Sequence, residues 1–357
     1  MNMKNKIIIL GIVILCFTFL IIGCSKNIYD VPEEKKLSQT PTIAEIANVI
    51  SEENYQASVP YMITALQDQI TKIKSSDITK AATMVTEIMK TYQSVNYMED
   101  KKSGNNITYV LKSAKDMAIL CSYSSSNSEA KPILIIDDAK LTRNGSTKNV
   151  TLVLLGGTEF KDGQATDIYN DVLSGMALNN EYLYDVYYAI QNHFIKKEGK
   201  INYNHELILQ GISLGGMVSQ QLAALYAEYE KEGVENFKVP FVTTYGSPLL
   251  VPEKIGNFSV VRRMVEANDL VPKLSVYYQG IDYIAGDNDT AKFSNVDNKY
   301  VCRESYYDTT IGAHAAGYIS SNWDNVDVLG FENGDATITF TSNNMNWYPA
   351  PKKNSSN

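Results

Sequence analysis

The chain has 357 residues, of which 44% are hydrophobic and 20% are charged. These proportions are typical of globular proteins, so they exclude a disordered chain and a multispan membrane protein. The formal net charge is -8 and the basic residues are scattered along the chain, which argues against nucleic acid as a partner.

The first residues predict export. Lys4 and Lys6 precede an apolar run over 7–22, and a basic segment followed by an apolar core is typical of a signal peptide. A retained transmembrane anchor is the alternative, although this run is shorter than the roughly twenty residues that cross a bilayer. Ile21-Ile22-Gly23-Cys24 resembles the lipobox of bacterial lipoproteins, which implies cleavage after residue 23, a lipid on Cys24 and attachment to an extracytoplasmic membrane surface.

Two further segments precede the main domain. Residues 24–41 are polar and contain prolines, which predicts a linker. Apolar residues recur at helical spacing over 42–100, so we predict two or three amphipathic helices that pack on the main domain. The alternative is that these helices form a cap over the ligand pocket of the main domain.

Beyond residue 100, short apolar runs alternate with helical patterns. Strands are predicted at 132–136, 150–155, 207–209, 239–245 and 258–265. The first three runs are almost wholly apolar, as expected in a parallel sheet that is covered on both faces. Helical spacing over 183–194 and 218–229 predicts two intervening helices, so the fold class is α/β with a mostly parallel, doubly wound sheet. We expect this domain to span 101–345, with a polar tail over 346–357.

A pentapeptide at one strand-to-helix junction indicates chemistry. Gly211-Ile212-Ser213-Leu214-Gly215 follows the 207–209 strand and leads directly into the next helix. This context is what a nucleophile elbow requires, because the serine adopts a strained turn and flanking glycines remove side chains that would clash. Ser213 is therefore the candidate nucleophile.

A serine nucleophile needs a base and an orienting carboxylate later in the chain. Of the three histidines only His314 follows Ser213, which leaves it as the candidate base. Asp269 follows the 258–265 strand, at the sheet edge where ligands bind, and is the candidate acid. Other aspartates also lie between serine and histidine: Asp282, Asp287, Asp289, Asp297 and Asp308.

The cysteines and histidines predict neither a metal site nor a cofactor. His193, His205 and His314 are far apart, and none neighbours a cysteine pair. Cys121 and Cys302 are the cysteines beyond the signal and the lipobox. An exported compartment permits a disulfide between them, and two buried thiols are the simpler interpretation.

Five motifs together resemble the ordered signature of the class 3 (fungal-type) lipases, a family of α/β-hydrolases. They are Leu154-Leu155-Gly156-Gly157-Thr158, Gly211-Ile212-Ser213-Leu214-Gly215-Gly216, Tyr245-Gly246-Ser247-Pro248, Asn268-Asp269-Leu270-Val271-Pro272 and residues 314–318. The resemblance covers about residues 105–340. It implies a triad of Ser213, Asp269 and His314 that acts on lipid esters or other carboxylic esters.

The oxyanion hole is predicted from the first motif. The turn at Gly156-Gly157 allows close approach of the backbone, so we expect the N–H groups of Thr158 and Leu214 to converge on one oxygen. The resemblance suggests that Asp167 orients the Thr158 hydroxyl. The alternative is that Thr158 ends a strand and Asp167 caps a helix. The chain departs from the family at Gly156, where an arginine is usual, and at Ile168, where a tryptophan is usual.

Other functions stay open at this point. The same triad serves thioesterases and acyltransferases, and a hydrolase fold can also act only as a binding or scaffolding lipoprotein. Turnover of a simple aryl ester distinguishes the last of these from an enzyme.

Overall fold

The computed structural model describes residues 106–126, 132–157, 181–247, 259–269, 271–274 and 300–348. The predicted signal peptide, Cys24, the linker and the helical region over 42–100 lie outside these ranges. Within them, no helix combines the length and apolar character needed to cross a membrane.

The described elements alternate between strands and helices along much of the chain. In order they are β1 (Thr108–Leu111), α1 (Ala114–Ser126), β2 (Ile133–Arg143), β3 (Ser146–Leu155), α2 (Glu181–Glu198), β4 (Glu206–Ile212), α3 (Leu214–Lys231), β5 (Lys238–Tyr245), β6 (Val260–Glu266), β7 (Tyr300–Arg303), α4 (Thr310–Ala316), β8 (Thr337–Thr341) and β9 (Met345–Tyr348). Short 3-10 turns lie at Val271–Leu274, Gly317–Ile319, Ser321–Trp323 and Ser342–Asn344.

These strands form one sheet in the order β1-β8-β2-β3-β4-β5-β6-β7, and β9 also pairs with β2. Strands β3 to β7 run parallel to one another, whereas every pairing of β1, β2, β8 and β9 is antiparallel. The predicted fold class is confirmed as mixed α/β with a mostly parallel central sheet. All five predicted strands and both predicted helices are present in the described ranges.

The first predicted strand differs in direction from the expectation. Strand β2 runs antiparallel to β3, and the two form a hairpin through Asn144 (φ 49°) and Gly145 (φ 72°). Both turn residues have positive φ, which is the backbone that Asn-Gly favours in two-residue hairpins. The turn therefore fixes β2 antiparallel, even though its apolar run resembles that of a parallel strand.

Apolar side chains cover both faces of the sheet. Along β4, Leu207 and Leu209 pack with helices α2 and α3, while Ile208 and Ile212 pack with α1 on the opposite face. Each such buried side chain stabilises the fold by about 1.5–3 kcal/mol. This two-sided burial explains the apolar run over 207–209 in β4 and anchors the segment that follows the strand.

Cys121 lies in the core on the α1 side of the sheet. Burial raises the pKa of its thiol to about 12, so the sulfur stays protonated and unreactive. The Cys302 side chain lies outside the described part of the structure.

The buried His193 side chain in α2 links strand β2 to the end of strand β9. The His193 ring lies 2.6 Å from Asp137 Oδ1 and 2.6 Å from the Tyr348 hydroxyl. Asp137 occurs at a bulge in β2, where the register with β3 shifts. Tyr348 belongs to β9, so this strand extends from residue 345 into the predicted tail. Four residues are too few to show a periodicity in the sequence.

We predict that His193→Ala lowers the free energy of unfolding by about 2–3 kcal/mol, because it removes hydrogen bonds from a buried carboxylate. The matched control is His205→Ala, whose partner Glu198 is partly exposed, and which should cost less than about 1 kcal/mol. Urea unfolding of the two variants checks this, and equal losses would contradict the structural role of His193.

Candidate active site

Ser213 occupies a strained turn between β4 and α3. Its backbone has φ 52° and ψ -120°, which is uncommon for a residue with a side chain. The turn is held from both sides, since the Ser213 N–H donates to the Tyr245 carbonyl (2.8 Å) and the Ser213 carbonyl accepts from Gly216 and Met217. The predicted strand-turn-helix context of Ser213 is therefore present.

Glycines on either side make this turn possible. A Cβ on Gly211 would lie 2.3 Å from the Gly215 carbonyl, and a Cβ on Gly215 would lie 2.4 Å from the Leu155 carbonyl oxygen. Both distances are far below van der Waals contact. A side chain at either position would force the elbow apart or push β3 away from it.

The structure brings Ser213, His314 and Asp269 together in one hydrogen-bonded row. His314 Nε2 lies 3.0 Å from Ser213 Oγ, and His314 Nδ1 lies 2.9 Å from Asp269 Oδ2. All three residues are buried, with 4%, 3% and 0% of their surfaces exposed. The row has the distances that a nucleophile, a general base and an orienting acid require.

Each member of the row sits at the same edge of the sheet. Ser213 follows β4, and Asp269 follows β6 at the carboxyl end of that strand. His314 lies in α4, which begins where the Thr309 hydroxyl accepts the Gly312 N–H. Among the alternative acids, Asp308 is exposed on the surface, and the other four lie outside the described residues.

The Asp269 carboxylate is held by two donors besides the histidine. The Val271 N–H donates to Oδ1 (2.9 Å), and the Tyr318 hydroxyl donates to Oδ2 (2.6 Å). Burial and the neighbouring Asp269 charge raise the pKa of Tyr318 well above its ordinary value, so it remains a neutral donor. The role of Tyr318 was not predicted from the sequence. The one sequence feature that points to it is its position in the motif over 314–318.

Gly246 lets the end of β5 lie directly against the acid. Its φ is 60°, and a Cβ there would lie 2.8 Å from Asp269 Oδ2 and 2.6 Å from the Tyr318 ring. Position 246 thus requires glycine for two reasons: the backbone has a positive φ, and there is no room for a side chain.

The chain after β3 crosses close to the nucleophile. A Cβ on Gly157 would lie 3.0 Å from Ser213 Cβ. The preceding residue is fixed by hydrogen bonds. The Gly156 N–H donates to the Pro132 carbonyl, and the Tyr182 hydroxyl donates to the carbonyls of Pro132 and Gly156. Thr158 and Asp167 lie outside the described residues.

Leu214 is the first residue of α3. The first N–H groups of a helix have no partner within it, and the helix dipole favours negative charge at this end. One predicted oxyanion donor is thus next to Ser213, at the start of a helix.

The chain matches no family model, no curated protein and no solved structure. Among the described residues, no group of three or more histidine, cysteine or carboxylate side chains could hold a metal ion.

We predict that Gly246→Ala slows phosphonylation of Ser213 by a fluorophosphonate about 100-fold, because displacing a reacting group by about 1 Å can have that effect. The matched control is Gly145→Ala, because Gly145 also has a positive φ (72°) but has no atom within 4 Å of the new Cβ. It introduces similar backbone strain, of about 1 kcal/mol, and should label at the wild-type rate. If both variants label alike, the contact between Gly246 and Asp269 does not position the acid.

Proposed function

We propose that the chain is a serine carboxylic-ester hydrolase of the α/β-hydrolase type. The observation that carries the proposal is the hydrogen-bonded row from Ser213 through His314 to Asp269. Ser213 itself lies on a strained turn that follows a parallel strand. Serine activation by a neighbouring base, itself oriented by a third group, is the arrangement of acyl-transfer enzymes.

The reaction begins when Ser213 Oγ attacks the ester carbonyl and His314 Nε2 takes its proton. Asp269 holds the imidazole through Nδ1 and stabilises its charged form. The tetrahedral intermediate then collapses, and His314 returns the proton to the leaving alcohol. A water molecule then attacks the acyl carbonyl while His314 takes its proton. The second tetrahedral intermediate collapses as His314 returns that proton to Ser213 Oγ, which releases the carboxylic acid. No cofactor is required by these steps.

The negative charge on the substrate oxygen needs donors fixed in advance. We assign this role to the backbone N–H groups of Leu214 and Thr158, with Asp167 orienting the Thr158 hydroxyl. The position of Leu214 at the start of α3 and the approach of Gly157 to Ser213 support this assignment.

The proposed substrates are lipid esters at a membrane surface. The resemblance of the sequence motifs to those of the class 3 lipases supports this substrate class. The proposed location is extracytoplasmic, with the chain anchored by a lipid on Cys24 that follows a cleaved signal peptide.

We predict that a fluorophosphonate probe labels the wild-type chain and that Ser213→Ala abolishes both labelling and hydrolysis of an aryl ester. Ser219→Ala is the matched control, since Ser219 is a buried serine on the same helix that bonds the Gly215 carbonyl. It should keep labelling and turnover. Full esterase activity in Ser213→Ala would refute the proposed nucleophile.

We predict that Cys24→Ala abolishes incorporation of labelled palmitate and moves the protein out of the membrane fraction, because several acyl chains are needed for stable attachment. Cys16→Ala, inside the apolar run, is the control and should remain lipidated. Unchanged palmitate incorporation in Cys24→Ala would contradict the anchor.

A further inference from the structure

A second buried carboxylate lies close to the proposed triad. Glu266 is the last residue of β6, three positions before Asp269, and its side chain is fully buried. Oε1 accepts from the Trp323 indole N–H (2.7 Å) and the Asn322 amide (3.4 Å), and Oε2 accepts from the Tyr306 N–H (3.3 Å). The Ser305 hydroxyl is a further donor. The proposed mechanism gives Glu266 no role.

These donors come from two segments that flank the candidate base. Ser305 and Tyr306 lie before α4, and Asn322 and Trp323 lie after it, whereas His314 lies within it. One carboxylate therefore fastens both ends of the segment that carries the imidazole to the end of β6. The Asn268 N–H, which donates to the Ser305 hydroxyl (2.7 Å), adds a parallel tie.

The backbone of Glu266 reaches the acid as well. Its N–H donates to the Tyr318 hydroxyl (3.1 Å), which in turn donates to Asp269 Oδ2. Trp323 stacks on Tyr318 with ring centroids 5.9 Å apart. A Cβ on Gly317 would lie 2.6 Å from Glu266 Cγ, so the chain after His314 packs directly on the glutamate.

The charge on Glu266 has no cationic donor among the described residues. Arg303 is its register partner on β7, but the Arg303 guanidinium pairs with Glu332 and lies over the outer side of Trp323. The titratable neighbours of Glu266 include Asp269 beyond the strand end and Tyr307 and Tyr318, whose pKa values are raised by burial first and in smaller part by the Glu266 charge. Burial raises the pKa of the Glu266 carboxyl to about 7, against the opposing effect of its hydrogen-bond donors.

A buried carboxylate without a counter-ion is costly, and an apolar residue would fill the same space at lower cost. An apolar residue, however, has no oxygen atoms to accept hydrogen bonds from the two separate segments. We propose that Glu266 is a positioning residue that clamps the segments on both sides of His314 to the end of β6, and so holds the imidazole between Ser213 and Asp269. This inference rests on the proposed ester hydrolysis.

The test compares Glu266→Ala, Glu266→Gln and Trp323→Phe with Glu332→Gln, a control carboxylate on the exposed side of the same cluster. Glu266→Ala should lower kcat for an aryl ester about 10- to 100-fold with KM unchanged within about twofold, since only the placement of the base is disturbed. Glu266→Gln should have a kcat between those of the alanine variant and the wild type, because its amide oxygen still accepts from Trp323 and Asn322 while its NH2 group cannot accept the Tyr306 N–H. The control should equal the wild type.

Trp323→Phe keeps an aromatic ring against Tyr318 and leaves Glu266 intact, while it removes the indole donor and leaves a small cavity, so it gives a second test if Glu266→Ala does not fold. It should lower kcat about threefold to tenfold at constant KM. Wild-type kcat in Trp323→Phe or in folded Glu266→Ala overturns the clamp, as does a Glu266→Gln variant as slow as the alanine variant. If the wild type neither turns over the ester nor labels at Ser213, the proposed function fails, which is a different result from slow variants of an active enzyme.

Thermal unfolding between about pH 5 and pH 8 gives a second readout. Burial raises the folded-state pKa of Glu266 from its ordinary value of 4.5 to about 7. The wild-type protein therefore has its full stability from this group below about pH 4.5, where the carboxyl is neutral, and loses that contribution as the pH rises through about 7. Glu266→Gln stays neutral and does not suffer this loss. The Tm of Glu266→Gln relative to the wild type should therefore increase from about pH 5 to pH 8, and a constant difference would show that the carboxylate is not buried as described.

Discussion

Close packing of the β3 end against the first turn of α3 is the constraint on which the candidate site depends. The carbonyls of Leu155 and Gly156 occupy the space where a Gly215 side chain would lie. That contact sets how near Gly157 comes to Ser213, and it presses the helix start onto the strand end. The strained Ser213 backbone persists because β5 and α3 both hydrogen-bond to it, so the local cost is covered by the surrounding sheet.

Burial then decides how the polar groups behave. Asp269 is fully buried, which would be costly for a lone carboxylate. Three donors converge on its two oxygens instead, from Val271, Tyr318 and His314. Because the carboxylate is held on both oxygens, the imidazole has a fixed partner, and little freedom remains to be removed when a substrate binds.

The sequence identifies the parts of the site that depend on local pattern. The Ser213 turn follows from glycine spacing between a strand and a helix, and His314 follows because no other histidine comes after the serine. Asp269 follows from its place at a strand end. Tyr318 and Glu266 could not be predicted in this way, because their roles come from contacts across 40 to 57 residues of chain. The β2 and β3 hairpin was predictable in principle from Asn144-Gly145, and β8 from its alternation of threonine with apolar residues, whereas β9 has only four residues.

The proposed triad also has a consequence for synthesis of the chain. Ser213 and His314 are 101 residues apart in sequence, and Asn322 and Trp323, which help to fasten α4, lie still closer to the carboxyl end. While the ribosome is still producing the region beyond the elbow, the serine has no base beside it and is an ordinary hydroxyl. On the proposed mechanism, a nascent chain that ends before His314 therefore cannot hydrolyse an ester, and reactivity begins only when α4 has folded against the sheet.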